Sequence, residues 1–404
     1  MNILPKKKIV LLGMMSQMPV GGHVWLVVQY LIGFQRLGYD VYYVEAHGRT
    51  PRELMRAGED PYERAAGYVD EVLRRFDLGS RWAYHAVHGG GRVYGMSEAR
   101  LTNLYRSAEL IINLHGGTVP LPEHYATGRL VYLGTDPGDR EVEVSQDRRE
   151  TIDLLEPHCA FFTWGLNYGN PDCLLPVCAP FPFQTMLPPV VVDFWEPETS
   201  PGGDTFTTVG NWRQTHRQVE FGGQVYAWSK HSEFMKFLDL PSRTRQRFEL
   251  ALSSYEDEDR LLLESHGWRV RPAYDFSRDL DDYRDYLRQS RGEFTAAKEQ
   301  NVRLRSGWFS ERSAQYLAAG RPVITQETGF SNVLPTGQGL FGFRTLEEAV
   351  AAVEEVNADY EGHSHAAAAI AREYFNYDVT LKRMLEQIEC SAARPAADVM
   401  GQRA

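Results

Sequence analysis

Short apolar runs alternate with longer amphipathic segments along most of the chain. Ile9-Val10-Leu11-Leu12 is a continuous apolar run within a first strand that reads from Lys8 to Met14. Val24 to Leu37 follows as a helix, with Val24, Val27, Val28, Leu31 and Phe34 near helical spacing. Gly38 ends it, and Val41 to Val44 is the next strand. Strand, glycine loop, helix, strand is the opening of a parallel α/β sheet. The rhythm returns with strands at Leu110 to Leu114, Leu130 to Leu133 and Ala160 to Thr163. Helices read over 53–76, 101–107 and 145–155. Trp82 to Tyr94, with Gly89-Gly90-Gly91 inside it, reads as a flexible loop or insert. The Pro-rich stretches 178–189 and 196–203 mark a crossover. After it the rhythm restarts, with strands at 206–209, 248–252, 268–270 and 292–295 and helices at 232–237, 256–266 and 280–289. Helices over 346–356, 366–375 and 379–388 close the chain, and the tail from Ser391 reads as disordered.

One later stretch, Ser306 to Phe330, concentrates the chemistry. Ser310 is suited to cap a helix, because its hydroxyl can accept from a free amide of the first turn. Ala314, Leu317 and Ala318 share one face. Gly320 stops the helix, and Pro322 opens a short buried strand with Val323 and Ile324. Unpaired amides and the positive end of the helix suit a phosphate. Arg312 and Ser313 add a charge and a hydroxyl there, and Gln315 sits one turn on, within reach of a ribose. Arg213, Arg217 and Lys230 lie near the loop that opens the second half. Cations with helix amides would hold a diphosphate as it departs with negative charge.

In the first half, Gly21 and Gly22 permit close backbone approach, and His23 at the helix start suits a general base. His115 and Asp136 end neighbouring strands, where ligands bind in open α/β sheets. Such a pair could orient or deprotonate a hydroxyl. Trp164, Asn167 and Tyr168 are candidates to line an acceptor pocket. Glu45 ends the second strand, but the glycine spacing before it is not the GxGxxG fingerprint, so a ribose contact there has little support. The acidic run 256–259 lies on a helix, reads as a solvated face, and suggests no metal site.

The chain has 404 residues and a formal net charge of −11. The length favours two domains, and the acidic balance argues against a nucleic-acid binder. Cys159, Cys173, Cys178 and Cys390 have no paired CxxC spacing, which fits reduced thiols in the cytoplasm. No apolar run approaches a membrane span.

Tyr316 to Val323 (YLAAGRPV) is similar to the AxAxGxPV segment of GT-B glycosyltransferases. The Gly21-Gly22 loop and the 371–375 segment match the general layout of that superfamily. The resemblance implies an α/β fold of two Rossmann-like domains facing a cleft. Residues 1–190 would bind acceptor and 204–375 the donor, with 376–390 as a helix crossing back and 391–404 as a tail. It implies transfer of a sugar, of the hexosyl type, from a UDP- or dTDP-linked donor to a hydroxyl or other nucleophilic acceptor, with no metal or further cofactor. Thr328 and Gly329 match the loop that touches the donor in relatives. Gln315 falls where many of them carry a ribose-binding Glu, and the paired-Glu pattern of many retaining members is broken. His23 falls near the base of inverting members, and His115 resembles the strand-end His of retaining ones, so the stereochemistry stays open. A nucleotide-sugar epimerase and a binding subunit without turnover are the alternative readings. The expected partners are small molecules, and a homodimer is compatible with the sequence.

Overall fold

The computed structural model describes residues 6–46, 54, 58–196 and 202–392. Two parallel sheets organise them. The first is built on Lys8–Leu12 (β1), whose side chains alternate between two apolar layers. Ile9 and Leu11 enter one layer, Val10 and Leu12 the other. A strand covered on both faces must be apolar throughout, which is why this run shows no polar alternation. Around it lie Asp40–Glu45 (β2), Trp82–Ala86 (β3), Arg92–Tyr94 (β4), Ala108–Leu114 (β5), Leu130–Gly134 (β6), Ala160–Thr163 (β7) and Phe183–Thr185 (β8). Their spatial order is β4-β3-β2-β1-β5-β6-β7-β8. Every pair is parallel except β3 with β4.

The second sheet holds Thr205–Asn211 (β9), Arg247–Ser253 (β12), Arg269–Pro272 (β13), Gly292–Thr295 (β14), Val323–Gln326 (β15) and Leu340–Phe343 (β16). Its order is β13-β12-β9-β14-β15-β16, parallel throughout. Between β9 and β12 a separate hairpin projects, Val219–Phe221 (β10) with Gln224–Tyr226 (β11). In each sheet the strand order reverses direction once, between β1 and β5 and between β9 and β14. Crevices outside the carboxyl ends of such strands are where open α/β sheets bind ligands.

The chain passes from the first sheet to the second beside its own return. The Val190 amide donates to the Phe375 carbonyl (2.7 Å), and the Tyr377 amide donates to the Val190 carbonyl (2.9 Å). The helix Tyr377–Ala392 then lies against the helix Gly21–Arg36. Contact is close enough that a Cβ on Gly33 would meet Leu381 Cδ1 at 2.6 Å.

Several local expectations change. Trp82 to Tyr94 is a β-hairpin rather than a flexible loop, because the buried Trp82 anchors it. Its indole Nε1 donates to Asp70 Oδ1 and to the Gly79 carbonyl, both at 3.1 Å. Residues 145–155 take in the last residue of one short helix, Asp139–Ser145, and the whole of a second, Arg149–Leu155. The helix expected over 53–76 runs Pro61–Arg74, capped by Asp60. Of its expected start, residues 53 and 55–57 lie outside the described residues, as do 197–201 of the crossover and 393–404 of the tail. Among the described residues no helix is long and apolar enough to cross a membrane.

Two histidines of the first lobe are buried as neutral rings. His158 Nδ1 donates to the Leu155 carbonyl (3.1 Å), and its Nε2 accepts from Asn113 Nδ2 (3.2 Å). His124 Nδ1 accepts from the Leu121 amide (3.1 Å) while the ring lies edge-on to Tyr105. Burial pushes each down to about 4 from 6.5. The unfolded chain therefore binds more protons than the folded one between those values, and stability is lost as pH falls through that window. The unfolding free energy, from urea titrations at pH 7, 6 and 5, should drop by more than about 1.4 kcal/mol per pH unit near pH 5, the slope of one proton. A flat profile would show that these rings carry charge in the folded protein.

Candidate functional site

At the second reversal point the helix Glu311–Ala318 begins directly above β9 and β14. Ser310 caps it, its hydroxyl accepting from the Arg312 amide at 3.2 Å. Arg312 does not extend into solvent. Its Nε donates to Glu293 Oε1 (2.6 Å), one terminal nitrogen donates to the Val209 carbonyl (2.6 Å), and the other reaches Thr295 Oγ1 (3.4 Å). Glu293 is fully buried and Arg312 is 8% exposed. Burial works against the charge on Arg312, but the adjoining Glu293 carboxylate outweighs it and raises the guanidinium above its ordinary value. Arg312 thus ties the helix start to the ends of two strands. Lys230 stands beside it, with Nζ donating to the same Thr295 hydroxyl at 3.1 Å. Burial, and then the charge of Arg312, lowers the Lys230 ammonium well below its usual range. This amine has one hydroxyl partner and no ion pair among the described residues, so it is the cation here most ready to take an anion.

Across the cleft, the first reversal point carries His23 and His115. Their rings stack with centroids 4.8 Å apart. His115 lies in the left-handed region at φ 63°, an uncommon conformation for a side chain of this size. Its Nδ1 is 2.8 Å from Thr135 Oγ1. Burial pushes His23 down to about 4, against the pull of Glu45, the Met14 carbonyl and Asp136. His115 is lowered well below the usual imidazole range, by burial and then by His23. Both rings are neutral at neutral pH, and the Nε2 atom of each has no partner among the described residues. Glu45 is consumed from below, accepting from the Ser16 amide (2.9 Å), the Ser16 hydroxyl and the Tyr43 hydroxyl (2.7 Å). It braces the loop after β1 and is not free for a ribose.

Asp136 joins the two lobes. Its carboxylate meets Arg217 at 3.1 Å and Lys298 at 3.7 Å, and Arg217 also meets Asp139 at 2.9 Å. Both cations lie over the Trp228 ring, Arg217 at 4.3 Å and Lys298 at 3.3 Å from its centroid. Burial alone would raise the Asp136 carboxyl, but Lys298 and Arg217 bring it below its usual value. Burial lowers Lys298 to about 8 despite Asp136. Beside this clasp, Trp308 Nε1 donates to the Thr135 carbonyl (3.1 Å). Gln146 Nε2 donates to the Glu220 carbonyl of the β10–β11 hairpin (2.7 Å).

The expected site residues therefore divide. His23, His115, Asp136, Lys230, Ser310 and Arg312 gather between the two reversal points. Ser313 is 1% exposed on the same turn, and its hydroxyl has no partner among the described residues. Others are taken up differently. The close approach that Gly21 and Gly22 permit is occupied by Tyr283: a Cβ on Gly21 would meet Tyr283 Cβ at 2.6 Å, and one on Gly22 its hydroxyl at 3.1 Å. The Tyr283 hydroxyl also donates to Gln315 Oε1 (3.3 Å), so this amide lies 1% exposed between helices and not on an open face for a ribose. Arg213 is held by Asp259, at 2.9 Å through Nε and 2.5 Å through a terminal nitrogen. That partner draws it out of the Lys230 group.

Thr328 donates to the Trp308 carbonyl (2.8 Å). Gly329, at φ +100°, packs on Asn167, whose Nδ2 would lie 2.7 Å from an added Cβ. Both residues belong to an interlobe seam rather than to an open donor loop. Asn167 accepts there from Asn332 Nδ2 (2.7 Å) and donates to the Arg305 carbonyl (2.9 Å). Trp164 is core, and the Tyr168 hydroxyl accepts from the Cys178 amide (2.7 Å). The Trp164 ring is thereby closed off from a pocket, while the Tyr168 ring stays partly exposed. Sequence reasoning missed Glu293, Lys298 and Trp228. Lys298 follows the small pair Ala296-Ala297 at the carboxyl end of β14, which was the available signal.

No family model and no curated protein matches the chain. Solved structures do share its fold. The chain is similar to Anabaena HepE in complex with UDP-glucose (13% identity, TM-score 0.54, covering 95% of this chain and 99% of that one). It is similar to AviGT4, a glycosyltransferase involved in avilamycin A biosynthesis (13%, 0.53, 96% and 99%). It also matches an alpha-glucosyltransferase in complex with UDP and a DNA 13-mer containing an HMU base (10%, 0.57, 95% and 100%). The architecture is the GT-B fold, two Rossmann-like units around a cleft.

Removing one member of a buried ion pair leaves the other charge uncompensated. Arg312→Met should lower the unfolding free energy by about 3–5 kcal/mol. The double variant Arg312→Met with Glu293→Met should recover much of that loss. Urea unfolding of the three proteins decides it, and additive losses would show that the two side chains are not coupled.

Proposed function

We propose that the protein is a glycosyltransferase that moves a sugar from a nucleoside diphosphate sugar to a hydroxyl-bearing acceptor. The observation that carries this reading is the confrontation of the two reversal points. A capped helix start with Lys230 lies on one side, and two neutral imidazoles, whose buried Nε2 atoms have no partner among the described residues, lie on the other. The first arrangement suits a diphosphate leaving group, the second a hydroxyl that must lose its proton. Two of the solved structures that share the fold hold UDP-glucose or UDP, which supports a UDP- or dTDP-linked donor.

In the reaction, the bond from the anomeric carbon to the diphosphate oxygen breaks, and its electron pair stays on the diphosphate. Lys230 and the amides of the 311–318 helix balance that charge. The acceptor oxygen forms the new bond to the anomeric carbon, and its proton passes to His23 Nε2. His115 and Thr135 hold the facing ring in register. These residues supply the cationic and basic functions, and the reading assigns no metal. Burial desolvates the Lys230 amine, and a diphosphate beside it favours its charged form. Arg312 acts one step back, fixing the turn whose amides point at the leaving group.

Lys230→Met should weaken UDP binding by roughly 1.5–3 kcal/mol, the scale of a hydrogen bond to a charged group. Titration calorimetry checks this, and unchanged affinity would remove Lys230 from the diphosphate site. His23→Ala should reduce turnover far more than donor affinity. In the intact protein the acid limb of kcat/KM should fall near 4, not near the ordinary imidazole value of 6.5, because the free base stays neutral to lower pH. Product analysis over a panel of UDP- and dTDP-sugars tests the whole reading. Epimer formation without transfer or donor cleavage would overturn it.

A further inference from the structure

Four contacts run in series from the free amine of the second lobe to the histidines of the first. Lys230 Nζ lies 5.9 Å from the centroid of the Trp308 ring. Trp308 Nε1 donates to the Thr135 carbonyl at 3.1 Å. The Thr135 hydroxyl lies 2.8 Å from His115 Nδ1, and the His115 ring stacks on His23 with centroids 4.8 Å apart. Trp308 is the member of this series that crosses from one lobe to the other.

A tryptophan between lobes is most often a packing group. Trp308 is partly exposed, and its ring is placed by polar contacts on every side. Its amide donates to the Ser306 hydroxyl (3.3 Å), its carbonyl accepts from the Thr328 hydroxyl (2.8 Å), and its backbone bridges Gly165 of the first lobe. Gly307 just before it takes φ +77°, where an added Cβ would run into the Asn167 amide. The turn that carries the indole is thus seated on the first lobe before the side chain begins. Thr135 is 6% exposed at the carboxyl end of β6 and uses its two polar groups in opposite directions, the carbonyl toward Trp308 and the hydroxyl toward His115. A carbonyl and a hydroxyl fix the rings without adding a charge that would change their protonation. On its other side the indole face lies within the reach of a cation–π contact, about 6 Å, and favours the charged form of the amine.

We infer that Trp308 is a positioning residue for the transfer step: through Thr135, its indole N–H sets the place of the histidine pair relative to the Lys230 amine. This rests on the donor and base assignments above. Trp308 itself exchanges no proton and touches no reacting atom. The base on one lobe is thereby registered against the leaving-group cation on the other, and a base displaced by about 1 Å is a poor one.

The test uses three variants of the full chain. Trp308→Phe keeps a ring face for Lys230 and removes the N–H. Thr135→Val keeps the carbonyl and removes the hydroxyl. Asn332→Ala loosens the interlobe seam elsewhere, where Asn332 Nδ2 donates to Asn167. UDP affinity is measured by calorimetry. Cleavage of UDP-glucose, UDP-galactose, UDP-N-acetylglucosamine and dTDP-glucose is followed with water and glucose as the hydroxyls offered. Trp308→Phe and Thr135→Val should each bind UDP within about twofold of the parent and lose about tenfold or more in kcat. The double variant should lose no more than about threefold beyond the slower single one, because both break the same series. Asn332→Ala should keep kcat within about threefold of the parent. Losses that multiply in the double variant would show two independent effects and overturn the inference. So would a Trp308→Phe protein with the kcat of the parent, one that loses UDP affinity as much as turnover, or an Asn332→Ala protein as slow as Trp308→Phe. A parent protein that cleaves none of the four donors would instead sink the glycosyltransferase reading itself, and the inference with it.

Discussion

The buried pair of Arg312 and Glu293 sets the geometry on which the cleft depends. One guanidinium joins three pieces of chain that are distant in sequence: the carboxyl end of β9 through Val209, the body of β14 through Glu293 and Thr295, and the first turn of the 311–318 helix. A pair this deep is weak evidence for stability, since two charges have been taken out of water. What it provides is placement. The helix start can sit only where the guanidinium reaches both strands, so its free amides are fixed above the reversal point of the sheet. Lys230 shares the Thr295 hydroxyl with that network, and its position follows from the same constraint.

The first lobe meets this arrangement with a different economy of charge. Its reversal point carries neutral histidines, not cations, and the carboxylate beneath them is already saturated by Ser16 and Tyr43. Charge crosses between the lobes at the rim, where Asp136 and Asp139 meet Arg217 and Lys298 over Trp228. The cleft is therefore closed by ion pairs at its mouth, by the Asn167 seam on the 305–332 side, and by the Val190 and Phe375 backbone contact at the crossover. Ion pairs at a rim yield more easily to water and salt than apolar packing does.

Much of this was legible in the sequence where the signal is local. The cap at Ser310 depends on one hydroxyl and one amide two residues on. The apolar run of β1 and the strand-end positions of His115 and Asp136 follow from the periodicity of the chain and from where open sheets bind ligands. What was not legible depends on partners supplied from far along the chain. Gly21 announces a close approach but not its occupant, and the occupant is Tyr283. Arg213 looks like Arg217 in the sequence, yet Asp259 captures one and Asp136 the other. Gln315 sits one turn along a helix that the sequence places well, but Tyr283 again decides what it touches. The hairpin of Trp82 to Tyr94 was hidden by its glycines, which make the turn, while the strand character lies in Trp82 and Tyr84 on its buried side.

Charge balance in the cleft carries the last step. Among the described residues Arg312, Arg217 and Lys298 each have a carboxylate partner, while the Lys230 amine has the Thr295 hydroxyl and no counter-charge. Burial, and then the charge of Arg312, lowers the Lys230 ammonium and drives it toward its neutral form. An anion beside the amine reverses that tendency by giving it a counter-charge. A neutral ligand does not, so the charge balance of this cleft favours an anionic one.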